Sequence, residues 1–170
     1  MVHIRALTPD DAEALDAVRL RALTEHPEAF GATPEEESGG AARRAEHLKD
    51  GPPDSMIFGA FLDGALVGIC LVYRHLRIKT RHRASIGGMY VAPEARGRGA
   101  GRMLVDAALD HARSLGGVQD VVLAVTSGND AARHLYEQAG FVRWGVDPRY
   151  IRVGDVYHDI EWMVLHIAEA

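Results

Sequence analysis

Val91-Ala-Pro-Glu-Ala-Arg96-Gly97-Arg98-Gly99-Ala100-Gly101-Arg102 is the stretch on which the fold turns. An apolar run, Ile86 to Val91, precedes it and stops at Pro93. An amphipathic pattern follows, with Met103, Leu104, Ala107, Ala108, His111, Ala112 and Leu115 at helical spacing. The unit is therefore strand, glycine-rich turn, helix. The first N–H groups of such a helix have no partner within it, and its dipole places partial positive charge there. An anion fits that place. Gly97, Gly99 and Gly101 let the backbone approach a phosphate, and Arg96, Arg98 and Arg102 bring forked cationic donors. A diphosphate-bearing ligand is the expectation.

Two nucleotide motifs are disfavoured. A Walker loop ends in Gly-Lys-Ser/Thr, whereas Gly101 is followed by Arg102 and Met103. A dinucleotide fingerprint counted from Gly97 needs a glycine where Arg102 stands. Asp120 lies about as far downstream as a ribose-binding acid, but it opens the next strand instead of closing it. The remaining chain is also short of the alternating strands and helices that a dinucleotide fold requires.

Further along, Val121-Val-Leu-Ala-Val125 reads as a strand, and Thr126-Ser-Gly-Asn129 as a turn. Asp130-Ala-Ala-Arg-His-Leu135-Tyr136-Glu-Gln-Ala-Gly140-Phe141 reads as a short helix with a glycine stop. Arg96-x-x-Gly99-x-Gly101 resembles the coenzyme A pyrophosphate loop of the GCN5-related N-acetyltransferase (GNAT) superfamily. The later segment resembles that family's N-x-x-A-x-x-L-Y-x-x-x-G-F signature, with Asn129, Ala132, Leu135, Tyr136, Gly140 and Phe141 in place. The resemblance is sharp from Ile86 to Phe141. It implies one α/β domain over residues 1–170, with an acetyl-CoA-binding core around 84–141. The implied sheet is mixed and mostly antiparallel, of about seven strands, with helices on both faces and a splayed central pair.

The resemblance also assigns roles. It implies an acyltransferase that moves an acetyl group from acetyl-CoA to a primary amine through a tetrahedral intermediate. Backbone groups of Met89, Tyr90 and Val91 meet the acetyl carbonyl and the pantetheine arm. Arg96, Gly97, Arg98, Gly99, Ala100, Gly101 and Arg102 cradle the pyrophosphate. Asn129 contacts pantetheine, and a helix N-cap is its structural role in any case. Tyr136 is the proton donor to the departing thiolate. Some members carry a glutamate five residues before the matching Asn, and that place is Ala124 here. Other candidate bases are Glu35 to Glu37, His82, Tyr157, His158 and Asp159. Arg19 to Glu37 resembles the substrate-side helices of GNAT proteins, and Tyr157 to Met163 the last strand of small-amine members; Glu35, Glu36, Tyr157 and Asp159 are therefore the expected acceptor-side residues, and the acidic run favours a cationic amine. The acceptor is an amine on a small molecule or a protein, and a homodimer is common among members. A non-catalytic acyl-CoA-binding regulatory domain is the alternative, against which Tyr136 counts.

Composition narrows the remaining classes. The chain has 170 residues, 47% hydrophobic and 25% charged, an ordinary globular balance. A net charge of −5 gives no support to nucleic-acid binding. No apolar run reaches membrane-spanning length, and the N-terminus lacks the apolar core of a secretion signal. Cys70, the single cysteine, sits in an apolar run and is expected to be a buried core thiol. A cytoplasmic setting is the expectation. The histidines show no metal-ligand spacing, so no metal is expected.

The other elements follow from pattern. Val2 to Leu7 reads as a strand, and Thr8-Pro9 opens a helix with Ala12, Leu15, Val18, Arg19, Ala22 and Leu23 at its spacing. Thr33-Pro34-Glu-Glu-Glu37 signals a second helix running to Lys49. Met56 to Leu62 and Ala65 to His75 form a hairpin about Asp63-Gly64. Arg74 to Arg83 is a basic connection. Val142 to Val146 and Val156 to Leu165 complete the sheet.

Overall fold

The apolar run before the glycine-rich loop becomes a central strand, and the sheet is organised around it. The computed structural model describes residues 1–37 and 39–167. In chain order the elements are β1 (Val2–Ala6), α1 (Ala12–Glu25), α2 (Gly40–Asp50), β2 (Ser55–Leu62), β3 (Ala65–Arg74) and β4 (Arg83–Val91). Then come α3 (Ala100–Ser114), β5 (Asp120–Thr126), α4 (Asp130–Gln138), β6 (Val142–Val153) and β7 (Val156–His166). All seven strands join one sheet in the order β1-β2-β3-β4-β5-β7-β6. Only the β4–β5 pair is parallel.

The β2–β3 hairpin forms where expected. Asp63 and Gly64 both have positive φ, 51° and 85°. That conformation matches the right-handed twist of the strands it joins. Successive residues of β3 then face opposite layers. A Cβ on Gly68 would lie 3.3 Å from Leu104 of α3, whereas the next residue, Ile69, shares a cavity wall with Leu15 and Arg19 of α1. Helices therefore cover both faces.

α3 buries Leu104, Val105, Ala108, Leu109 and Ala112. This stripe is two columns wide, because the helix lies on a broad sheet and not against a single neighbour. It is rotated from the expected one: Val105 and Leu109 point inward, and Met103 is exposed. Two other elements differ from expectation. Thr33 and Glu36 exchange cap hydrogen bonds (Thr33 N–H to Glu36 Oε2, 2.8 Å), but α2 starts only at Gly40. Gly40 has φ +63°, which an α-helix cannot propagate. β6 continues past Pro148 to Val153. It is an edge strand, where a missing N–H is tolerated, and it bulges there, with Arg149 at φ +56° donating its N–H to Asp159.

The decisive feature is how little β4 and β5 pair. Only Arg83, Ala84 and Ser85 align with Asp120, Val121 and Val122. Beyond them the strands diverge. β4 also bulges against β3: Gly87 faces Leu71 and Tyr90 faces Ile69, so Gly88 and Met89 together oppose Cys70. Gly88 takes φ +60° at that bulge.

Cys70 is fully buried, and burial pushes its thiol up to about 12. We expect no labelling by a thiol reagent at pH 8 until denaturant unfolds the chain. Labelling of the folded protein at a free-peptide rate would show this part of β3 to be open. Leu104→Ala should cost about 2–5 kcal/mol in denaturant unfolding.

Candidate active site

The divergence of β4 and β5 opens a cleft of about 550 Å³. Ile86 to Val91 line one wall and Ala124 to Thr126 the other; the glycine-rich loop, α4 and His26, Ala29 and Phe30 complete the lining. The Thr126 hydroxyl donates to the Glu28 carbonyl at 2.8 Å, tying the segment after α1 to β5. The two strand edges that face the cleft lack each other as partners. Their N–H and C=O groups are available to an extended ligand, in the manner of an added strand.

The loop end is built as an anion cradle. Gly97 and Gly99 have φ +70° and +79°, a region closed to most side chains. Gly99 is the N-cap of α3, so the amides of Ala100, Gly101 and Arg102 begin the helix without internal acceptors. At Gly101 a Cβ would sit 3.2 Å from Leu135 and 3.7 Å from Met89, within the cleft wall. Arg96 lies on the wall, anchored by Nε to the Val91 carbonyl (3.1 Å) and by Nη2 at the His26 ring (3.1 Å). Arg102 also lines the cleft, bonded to Asp106 (2.8 Å) and to the Gln138 carbonyl (3.2 Å). Arg98 differs: its guanidinium folds back onto the Glu94 carbonyl, outside the wall.

α4 brings two signature residues to the same cleft. Asn129 caps the helix, its Oδ1 accepting from the Ala132 N–H at 3.2 Å. Tyr136, seven residues on, is buried against Phe141 and reaches the cleft. Burial raises its pKa well above the ordinary phenol value, with Cys70 adding to the effect, so the hydroxyl stays protonated at neutral pH. Met89, Tyr90 and Val91 line the cleft by their place on β4. The Tyr90 side chain turns away and donates to Glu25 at 2.6 Å; burial and this bond raise its pKa to about 12.

A second cavity, about 570 Å³, lies on the α1–α2 face and shares Gly88 with the cleft. Leu15, Ile57, Ile69 and Leu71 form its apolar walls; Arg19, Glu36, Glu37, Arg43, Arg44 and His47 form its polar ones. Glu37 is enclosed by Arg19 (2.7 Å) and Arg44, and Arg44 also reaches Asp16 (3.2 Å). Burial on its own would raise the Glu37 carboxyl, yet the two guanidiniums hold it down at about 2.

The expected acceptor-side residues separate. Glu36 lines the second cavity, whereas Glu35, Tyr157 and Asp159 line neither cavity. Tyr157 lies beneath Arg149, 4.0 Å from ring centre to guanidinium, and the Asp159 carboxylate accepts the Arg149 N–H at 2.8 Å. Both serve the β6 bulge. His26, Phe30 and Arg19 were not singled out as site residues from the sequence. All three fall within Arg19 to Glu37, the stretch that resembles the family's substrate-side helices, and Arg19 also stands as a charged residue in the apolar spacing of α1. Among the described residues no group of three or more His, Cys, Asp or Glu side chains is placed to hold a metal.

Glu37 sets an acid limit on this face. Its folded pKa of about 2 lies below the ordinary 4.5, so its stabilisation is complete above pH 4.5 and is lost as pH falls toward 2. Unfolding measured at pH 6 and pH 3 should show a larger loss in the native chain than in Glu37→Gln. Equal losses would mean that the two arginines do not stabilise the carboxylate.

Comparison with known proteins agrees with this geometry. The sequence model described as the acetyltransferase (GNAT) family matches residues 16–141. The mycothiol acetyltransferase of Thermobispora bispora is 38% identical over 155 residues, covering 89% of this chain and 50% of that protein. The chain thus spans about half the length of the curated relatives it matches. The crystal structure of a GNAT-family acetyltransferase from Streptococcus pneumoniae superimposes with a TM-score of 0.88 at 25% identity, covering 99% of this chain and 100% of that one. A Salmonella typhimurium protein solved with its cofactor acetyl-CoA has the same fold: TM-score 0.86, 21% identity, 99% and 95% coverage. With the matched region running from α1 through the cradle to Phe141, the chain belongs to the acetyltransferase (GNAT) family.

Proposed function

We propose that the chain transfers an acetyl group from acetyl-CoA to a primary amine by direct attack of the neutral amine on the thioester. The observation that carries this is the cleft between diverging β4 and β5, with a helix N-terminus at one end and a buried tyrosine beside it. Gly97, Gly99 and Gly101 leave room for a diphosphate at the α3 amides, and Arg96 and Arg102 supply positive charge at the rim. The open edge of Met89 to Val91 offers backbone partners to the pantetheine arm, which Asn129 borders from the other side. A backbone N–H aimed at a developing oxyanion is worth about 3–4 kcal/mol in such sites.

As the N–C bond forms and the C–S bond breaks, the leaving sulfur needs a proton. Tyr136 is buried, protonated and on the cleft wall, so it can give one, and the proton shed by the acylated nitrogen restores its hydroxyl. The amine must arrive neutral. Glu37 is a poor base for it, because a carboxylate held at about 2 has little drive to take a proton near pH 7. Glu36 is the carboxylate of the acidic run that lines the second cavity without an arginine on it, and we assign it to the acceptor side. The acceptor enters through that cavity and meets the acetyl group at Gly88, the residue common to both. The name of the curated relatives adds a mycothiol-type acceptor to those worth assaying.

Calorimetry with acetyl-CoA, free CoA and NAD, paired with a thiol-release assay over amines, tests this. Both CoA species should bind and NAD should not. Gly99→Val and Gly101→Val should weaken binding by about ten-fold or more, through a forbidden φ and a filled cleft respectively. Tyr136→Phe should keep acetyl-CoA affinity while lowering kcat by about 10²-fold or more. Binding without release from any amine would leave a binding domain, and no binding of either CoA species would refute the proposal.

A further inference from the structure

We infer that the acceptor is a small amine that also carries a carboxylate, received by Arg19 and Arg43 in the cavity behind Gly88. This rests on the acetyl-transfer proposal and adds the acceptor's chemical class to it. The cavity, about 570 Å³, has the size of a small-molecule site. Of its two acids, Glu37 is already committed. Both Glu37 oxygens are taken, Oε1 by Arg19 and Oε2 by Arg44. Glu36 accepts the Thr33 N–H with Oε2 alone and carries no arginine, so it can face the ammonium end of the same acceptor.

Its cationic donors are not all committed. Arg19 uses Nε and Nη2 on Glu37, while Nη1 is buried with no hydrogen-bond acceptor. Arg43 lines the same cavity from its exposed rim and makes no ion pair or hydrogen bond among the described residues. A buried guanidinium N–H without an acceptor is costly, and a carboxylate is the ligand group that relieves it with a charge-assisted bond.

The position of Arg19 ties this to the reaction centre. A Cβ on Gly88 would lie 3.9 Å from Arg19 Nη1, and the guanidinium packs over Phe30, 4.9 Å from the ring centre. Gly88 and Phe30 both line the cleft between β4 and β5. The vacant donor therefore sits where the two cavities meet, and a carboxylate held there is close to the attacking amine. An amino acid provides both groups within a few bonds. The apolar walls from Leu15, Ile57, Ile69 and Leu71 accept its carbon skeleton.

The test uses the full chain with saturating acetyl-CoA and a panel of L-amino acids. Each is assayed beside its carboxamide and its decarboxylated amine, with spermidine and a mycothiol-type amine alongside. The acid form should exceed its amide by about ten-fold or more in kcat/KM, the usual worth of a charge-assisted bond. Arg43→Gln should raise KM for the acid by about ten-fold, with KM for the amide and for acetyl-CoA unchanged, and Arg43→Lys should restore part of it. Arg43 carries this test because Arg19→Gln would also free Glu37. Equal rates for acid and amide, or a preference for spermidine, would overturn the inference and leave acetyl transfer standing. So would acetyl-CoA binding in which no acid is turned over or raises the melting temperature. Absence of acetyl-CoA binding would instead remove the proposal beneath it.

Discussion

The rest of the site depends on one constraint: β4 and β5 are parallel neighbours that pair for three residues and then part. Parallel strands need a crossover, and α3 supplies it, so the start of α3 necessarily lies at the end of β4 where the gap is widest. A helix N-terminus, two unpaired strand edges and the α4 residues after β5 thus converge without any long-range recognition between their side chains. The bulge at Gly88 and Met89 belongs to the same event. It re-aims the edge of β4 and opens the sheet toward α1 and α2.

Electrostatics on that second face are organised by two arginines around one half-buried carboxylate. Glu37 between Arg19 and Arg44 joins the loop before α2 to both helices of this layer. Such a triad orders a wall at the cost of desolvating three charges, and its net contribution to stability is small compared with the damage of removing one member. Of the carboxylates that the sequence offers as a cationic-substrate site, Glu37 is neutralised inward, and on the same face Arg19 Nη1 is left without an acceptor among the described residues.

Much of the fold was legible locally. The Asp63-Gly64 turn, the strands of apolar residues around it, the glycine cradle before α3 and the Asn129 cap each obey near-neighbour geometry, so short-range chemistry identifies them. Elements governed by more distant partners were less legible. The α3 stripe rotated because a sheet is a broader partner than a helix, β6 outran Pro148 because it is an edge strand, and α2 waited for Gly40 despite a sound cap at Thr33. Glu35, Tyr157 and Asp159 attracted notice by residue type and by the family resemblance of the segments that hold them. In the folded chain Tyr157 and Asp159 serve a strand bulge, and Glu35 borders neither cavity.

By itself, then, the sequence determined the strand–loop–helix side of the cleft: a strand, glycines and arginines at set spacing, and a Tyr seven residues after an Asn, all within one stretch where backbone geometry follows from local residue choice. Tertiary structure decided what gathers in the second cavity, where the sequence had offered only Glu36 and Glu37. Arg19, Glu36, Glu37 and Arg43 come from α1, the loop before α2 and α2 itself, and only packing of that layer on the sheet brings them to Gly88. Which charges there are spent and which remain open depends on pairing between residues 18 positions apart, as with Arg19 and Glu37, and no local pattern carries that information.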